Sequence, residues 1–239
     1  NLGFAKANNV GLCQATGQYI LYLNPDTLVP EDCFEKCISY LQNNPLVGAL
    51  GPHLIDGTGQ FLPESKRGFP DFTTAFFKIS GFSKLFSKSS YFNKYHMGFL
   101  PEHQTNTVDV LAGCFMMMPK KVCDLVGGFS EDYFMYGEDI DLSYCVQKAG
   151  YKNVYFAETS VIHFKGESTK KGSLNYVKMF YTAMIIFAKK HLAPGKQKLF
   201  IPLIQAAIGM RAVLSIFNKF LSALWLPIID VCIMLLSLW

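Results

Sequence analysis

Three carboxylates, Glu138, Asp139 and Asp141, fall within four residues of the stretch Phe134-Met-Tyr-Gly-Glu-Asp-Ile-Asp-Leu142, behind a glycine and an aromatic run. Acids this close repel one another, so their grouping needs a reason. Two readings fit. In one, residues 138–150 are a well-terminated helix, with acids facing the positive dipole end, Lys148 in the last turn and Gly150 as the stop. In the other, Tyr133-Phe-Met-Tyr136 sets the acids at the mouth of an apolar wall, where a carboxyl pKa rises toward general-base use. Helical spacing allows both at once. Glu138 and Asp141 share a face while Asp139 points elsewhere, so one acid can serve chemistry and the others the helix terminus.

Asp26 is the next candidate, in the turn Asn24-Pro-Asp-Thr27 that ends an apolar run. A carboxylate at the carboxyl end of a strand can hold Mg²⁺ or Mn²⁺ against a diphosphate, because these ions take few protein carboxylates and let phosphates supply the rest. The same residues are also ordinary turn formers. His163 is equally two-sided: it ends a strand as a structural residue would, but the polar loop after it, with Lys165 and Ser168, suits phosphate contacts.

The elements that must position these residues follow from the apolar pattern. A helix is predicted over 8–17, and Gln18-Tyr-Ile-Leu-Tyr-Leu23 has the length and composition of a buried strand. Helix, strand and polar turn in that order form one repeat of a parallel α/β sheet, where ligands sit at the carboxyl ends of strands. Residues 30–41 read as a helix opening on acids, 47–51 as a short strand, and Asp56-Gly57 as a tight turn. Residues 63–104 loosen into a basic and aromatic linker, expected to be mobile or membrane-facing. Residues 108–118 read as a strand pair broken at a glycine, 119–126 as a helix, and 151–156 and 160–163 as two further short strands.

Composition narrows the class. Half of the 239 residues are apolar and 15% aromatic, enough for one α/β domain with an appendage and too apolar for disorder. Seven scattered cysteines suit a reducing compartment, and Cys33 and Cys37, four apart on one helix face, make no zinc motif. Net charge is only +4, but residues 165–198 hold eight lysines against Glu167 alone. A basic segment before an apolar tail has the pattern of a cytoplasmic juxtamembrane region. A solvated helix face fits it too. Nucleic acid fits less well, because Tyr176, Phe180, Tyr181 and Phe187 repeat at helical spacing as core residues do. The tail from Leu199 to Trp239 is apolar, interrupted by Pro202, Arg211, Pro227 and Asp230, so an interfacial hairpin competes with two membrane spans. The chain opens directly on Asn1-Leu-Gly-Phe-Ala-Lys-Ala-Asn-Asn9, as a fragment lacking an N-terminal part would.

Five motifs then line up in order: Asn1 to Gly11, Tyr22-Leu-Asn-Pro-Asp-Thr27, Asp109-Val-Leu-Ala-Gly-Cys-Phe-Met-Met117, Phe134 to Leu142, and Val161-Ile-His-Phe-Lys-Gly-Glu-Ser168. Together they resemble the family 2 glycosyltransferases of GT-A fold, nearest the bacterial rhamnosyltransferase-like branch that builds surface polysaccharides. The resemblance covers residues 1 to about 191. It implies a GT-A (Rossmann-like) mixed α/β sheet flanked by helices in a catalytic domain over 1–191, followed by an apolar membrane-associated or transmembrane helical tail over 192–239. The family's first strand, which carries much of the nucleotide pocket, would precede Asn1, so the fragment is expected to be inactive by itself.

The resemblance also implies roles. Asp26, with His163 near it, would hold Mg²⁺ or Mn²⁺, although Asn24 stands where the family's acidic motif usually has its first acid. Asp139 would be the catalytic base, with Glu138 next in line. Asn1, Gly3, Phe4, Asn8 and Asn9 match the loop beside the nucleotide, Asn24 and Gly113 the donor side, and Lys165 and Ser168 the diphosphate or acceptor loop. The Asp139-Ile-Asp141 triplet is not given the metal, because a helix turns those two carboxylates apart. The implied reaction is an inverting transfer from a nucleotide-diphosphate sugar, dTDP-rhamnose being one candidate, to a polyprenyl-linked or glycan acceptor at the cytoplasmic face of the inner membrane, without nucleic acid. The alternative from another class is a catalytically inactive sugar-nucleotide or glycan-binding membrane adaptor.

Overall fold

The computed structural model describes residues 2–70, 82–164, 174–195 and 197–206, together with positions 73, 74, 77, 209 and 234. The apolar runs become the strands β1 (Tyr19–Leu23), β2 (Thr27–Leu28), β3 (Val47–Ile55), β4 (Asn106–Val108), β5 (Phe115–Pro119) and β6 (Lys152–His163). The helices are α1 (Phe4–Gln14), α2 (Cys33–Asn43), α3 (Phe82–Leu85), α4 (Lys120–Val126), α5 (Glu138–Lys148) and α6 (Leu174–His191). The strands make one six-stranded sheet in the order β1-β5-β3-β6-β2, with β4 also on β6. It is a mixed α/β sheet flanked by helices, as expected. One face packs Ile20, Met116, Met118 and Tyr155 with α1 and α4; the other packs Leu50, Leu54, Phe115 and Phe156 with α2.

The sheet is less parallel than the helix-strand repeat suggested. Only β3 and β6 pair in parallel, because β5 returns between β1 and β3 and runs antiparallel to both. That insertion still leaves β1, β3 and β6 pointing the same way, so their carboxyl ends share one edge. The two short strands predicted over 151–156 and 160–163 are one strand. Opposite the step from Pro52 to His53, β6 advances from Phe156 to Ser160, so residues 157–159 bulge out while pairing with β3 resumes.

Other boundaries move for local reasons. α1 begins at Phe4 rather than Asn8, because Gly3 takes a left-handed φ of 80° and the Phe4 N–H donates to the Phe134 carbonyl. Within 63–104, two cations that read as linker are interior. Lys66 is only 2% exposed, and its ammonium donates to the Leu100 and Met97 carbonyls above the Phe61 ring. Backbone carbonyls there replace the water that the charge would otherwise need.

Where the basic segment is described, it is a two-faced helix with Lys189 and Lys190 exposed and its apolar side in the core. α6 buries Met184, Phe187 and Ala188 against Val110 and Ile140, and residues 197–206 are helical, with Phe200 and Ile204 in the same cluster. No helix among the described residues is long and apolar enough to cross a membrane. Most of the 192–239 tail lies outside the described residues.

Candidate active site

At the carboxyl end of β1 the chain turns through Asn24-Pro25-Asp26. The Asn24 N–H donates to the Cys114 carbonyl at 2.9 Å, and the Thr27 hydroxyl donates to the Asn24 carbonyl at 2.7 Å. Antiparallel pairing of β2 with β6 sets Thr27 opposite His163, and the Phe164 N–H donates to the Asp26 carbonyl. Asp26 Oδ1 therefore lies 3.4 Å from His163 Nε2, both side chains mostly buried. Asp26 Oδ1 and His163 Nδ1 are buried without a hydrogen-bond partner. A carboxylate oxygen left open beside an imidazole fits a divalent cation, which completes its shell from other oxygens.

The acid cluster is set by an unusual turn. Tyr136 (φ 69°) and Gly137 (φ 85°) are both left-handed, which swings the chain out of the aromatic run into the first turn of α5. For a tyrosine that conformation costs on the order of 1–3 kcal/mol and persists only where packing enforces it. The packing comes from α6: a Cβ on Gly137 would lie 2.9 Å from that of Ala183.

Asp139 is fixed on both oxygens. The Ile140 N–H donates to Oδ1 at 2.8 Å, while Oδ2 receives the Gly113 N–H at 3.4 Å and Arg67 Nη2 at 2.5 Å. Arg67 also donates to the Leu111 carbonyl, and its backbone is bridged to Val110. Side chains of Arg67 and Asp139 are 13% and 16% exposed, so this is an interior ion pair. Burial works against the guanidinium charge, but the Asp139 carboxylate and Tyr95 outweigh it and hold Arg67 above its ordinary range.

Glu138 is buried, and its Oε2 has no hydrogen-bond partner. Burial, then the neighbouring Asp139 charge, push its carboxyl up to about 8. Asp141 corrects an expectation. It sits in the first turn of α5 as a terminal acid would, yet its carboxylate turns inward to Tyr133 Oη (3.2 Å), Lys190 Nζ (3.2 Å) and His191 Nε2 (2.5 Å). Its ligand atoms, with those of Cys145 and His191, lie within 4.8 Å of one another, but Lys190 already supplies the positive charge there.

The two halves meet at Gly113 and Cys114. Gly113 gives its N–H to Asp139, and a Cβ on it would stand 3.3 Å from the Asp139 Cβ; Cys114 gives its carbonyl to Asn24. Burial, the Asp139 charge and a smaller effect of Asp26 raise the Cys114 thiol to about 12 against the opposing Arg67, so both carboxylates bear on this residue.

The nucleotide-side residues are engaged with protein. The Asn9 amide gives and takes hydrogen bonds with the Phe129 backbone, Asn8 Nδ2 donates to the Phe4 carbonyl, and the Phe4 ring packs on Phe129. Gly3 abuts Phe134. Asn1, Lys165 and Ser168 lie outside the described residues. Arg67 was missed. One signal was available: the chain has only two arginines, Arg67 and Arg211, among 22 basic residues, and a planar fork is chosen where a carboxylate must be gripped.

Comparison with known proteins shows the family. The family described as glycosyl transferase family 2 matches residues 1–125. The N-acetylglucosaminyl-diphospho-decaprenol L-rhamnosyltransferase of Mycobacterium tuberculosis is 26% identical over 203 residues, covering 80% of this chain and 65% of that one. Rhamnosyltransferase WbbL of Escherichia coli is 28% identical over 172 residues, covering 68% of this chain and 61% of its own. The chain thus spans less than two thirds of the length of these relatives. The crystal structure of GalNAc-T7 with UDP, GalNAc and Mn²⁺ superposes with a TM-score of 0.52 at 16% identity, covering 79% of this chain and 37% of that one, and so shares the fold. The chain belongs to glycosyl transferase family 2.

Proposed function

We propose that the chain is the catalytic part of an inverting glycosyltransferase. It moves a sugar from a nucleotide-diphosphate donor, dTDP-rhamnose being the first to try, to a lipid-linked saccharide at the cytoplasmic face of the membrane. One observation carries this reading: the Asn24-Pro25-Asp26 turn that bears the open Asp26–His163 pair and the acid pair at the start of α5 meet at the consecutive residues Gly113 and Cys114, Asn24 bonding Cys114 and Asp139 bonding Gly113. The names of the two relatives, both rhamnosyltransferases, support the donor class.

In this mechanism Asp139 accepts the proton of an acceptor hydroxyl, whose oxygen forms a bond to the anomeric carbon from the face opposite the diphosphate. The bond to the diphosphate oxygen breaks with its electron pair, and the configuration inverts. Arg67 and the Gly113 and Ile140 N–H groups hold Asp139 in one orientation. Asp26 and His163 would hold Mg²⁺ or Mn²⁺. When bound there, the ion neutralises charge on the departing diphosphate.

One observation favours a second assignment of the base. Both Asp139 oxygens are engaged, whereas Glu138 Oε2 accepts no hydrogen bond and its carboxyl is raised. In that version Glu138 takes the proton and Asp139 is its rigid neighbour.

The test is to incubate the full-length protein in membranes with a panel of nucleotide sugars and a polyprenyl-diphosphate-linked acceptor, with and without Mn²⁺. The expected result is a product extended by one sugar of inverted configuration, with release of nucleoside diphosphate. Donor binding without transfer from any donor would support the adaptor instead.

A further inference from the structure

The chain reaches the acids of α5 through a loop that opens on two left-handed glycines, Gly127 (φ 82°) and Gly128 (φ 73°), and closes on the Tyr136–Gly137 turn. Its path is fixed from outside. α6 grips one side, with Lys190 Nζ donating to Ser130 Oγ at 2.7 Å. α1 grips the other. Asn9, in the middle of α1, pairs with Phe129 as one strand residue pairs with another: its Nδ2 donates to the Phe129 carbonyl at 2.7 Å and its Oδ1 accepts the Phe129 N–H at 3.0 Å. Phe129 is only 2% exposed, so the amide stands in for water that its backbone groups cannot reach. The glycine before it is shaped by the same contact, since a Cβ on Gly128 would lie 2.7 Å from Asn9 Oδ1. Near the start of the same helix, the Phe4 N–H donates to the Phe134 carbonyl at 3.2 Å and the Phe4 ring meets that of Phe129 edge-on at 5.5 Å. α1 therefore holds the loop at both 129 and 134.

From there the contacts run to the acids. Between the two holds, Tyr133 is buried; its ring carbons lie 3.1 and 3.2 Å from where a Cβ on Gly137 would stand, and its Oη donates to Asp141 Oδ1 at 3.2 Å. Gly137 immediately precedes Glu138 and Asp139. A close-packed interior transmits strain, so a shift at Phe129 reaches the turn that aims both carboxylates.

We propose that Asn9 is a positioning residue for the acid pair: its side-chain amide fixes the 128–137 loop and, through Tyr133 and Gly137, the orientation of Glu138 and Asp139. With both amide atoms committed to Phe129, its part in transfer is exerted on the acids and not on the nucleotide. Its effect on turnover rests on the transferase reading, whereas its hold on the loop and on Glu138 does not.

The experiment compares Asn9→Leu with the unaltered full-length protein by hydrogen–deuterium exchange, by melting temperature against pH and by donor-dependent kinetics. Ile38→Ala is the control: Ile38 packs α2 on the opposite face of the sheet, so its loss lowers stability without touching the loop. Amides of 129–141 are expected to exchange faster in Asn9→Leu and not in Ile38→Ala. Water that reaches Glu138 brings its carboxyl down from about 8, so the fall of melting temperature with rising pH moves to lower pH. kcat should fall about tenfold or more while KM for the donor stays within about twofold, because a misplaced group costs the chemical step and not uniform binding. Asn9→Asp, which still accepts from the Phe129 N–H but cannot donate, should move the same readouts. Unchanged exchange over 129–141 with an unchanged pH profile would overturn the proposal, as would equal loosening in Ile38→Ala. A raised donor KM at unaltered kcat would also overturn it and return Asn9 to the nucleotide. Absence of transfer from the unaltered protein would overturn the transferase reading instead, and the exchange and pH readouts would still decide what Asn9 holds.

Discussion

Removing one partner of an interior ion pair strands the other charge, at a cost of about 3–5 kcal/mol, and Arg67 with Asp139 is such a pair. Arg67→Met is therefore expected to lower both the unfolding free energy and kcat/KM, and Arg67→Lys should rescue neither. A single ammonium does not bridge Asp139 Oδ2 and the Leu111 carbonyl as the guanidinium does. Adding Asp139→Asn to Arg67→Met should recover stability in denaturant melts without recovering turnover; additive losses would show that the two side chains are independent. Glu138 gives a pH signature. Its folded carboxyl is raised to about 8 by burial and then by Asp139, so the folded chain keeps a proton that the unfolded chain releases in the ordinary carboxylate range. The stability this contributes is complete below that range and is lost as pH climbs through about 8. Glu138→Gln keeps a neutral side chain at every pH and should flatten that fall in melting temperature. A base must be unprotonated, so if Glu138 takes the proton, kcat/KM climbs through the same region and the climb vanishes in the variant. With Asp139 as base, the climb does not follow Glu138.

The position of α5 depends on α6, which covers the Tyr136–Gly137 turn through Ala183 and closes over Asp141 with Lys190 and His191. His191→Ala leaves a buried carboxylate short of a partner, a loss of about 1–3 kcal/mol. It should appear in denaturant melts, together with a lower kcat and unchanged donor affinity; an unaltered kcat would mean that α6 does not position the acids. Much of this level was legible in the sequence. The apolar runs mark the strands, the Asn24-Pro25-Asp26 turn and the acid cluster stand out by composition, and the aromatic repeat from Tyr176 to Phe187 reads as core, where Phe187 is buried with Tyr181 packed beside it. Pairing was not legible, because β5 separates β1 from β3 only through contacts remote in the chain. The β6 bulge depends on register with β3, and Arg67 sat in a stretch whose local pattern is irregular. Asp141 shows the same limit: helical spacing put it on the face of Glu138 and its place in the first turn suggested a helix-terminal acid, but its partners Lys190 and His191, 49 and 50 residues further on, belong to another helix.

On the scale of the whole molecule, the sheet edge formed by β1, β3 and β6 carries the Asp26–His163 pair, while the acid pair hangs from α5, whose Asp139 meets Gly113 beside the Cys114 that holds Asn24. In the proposed mechanism binding and proton transfer are therefore held by different elements and should separate under mutation. A ligand that binds only the folded state stabilises it by RT ln(1 + [L]/Kd), about 2.7 kcal/mol at a hundredfold excess over Kd. Mn²⁺ together with a nucleoside diphosphate should accordingly raise the melting temperature of the full-length protein by several degrees, and a chelator should reverse the rise. Asp26→Ala removes the open carboxylate oxygen and should abolish the shift. Asp139→Asn leaves Asp26 and His163 untouched and should keep the shift while transfer is lost. A shift that survives Asp26→Ala would place the ion elsewhere, and one lost in Asp139→Asn would mean that the two halves act as a single unit through Gly113.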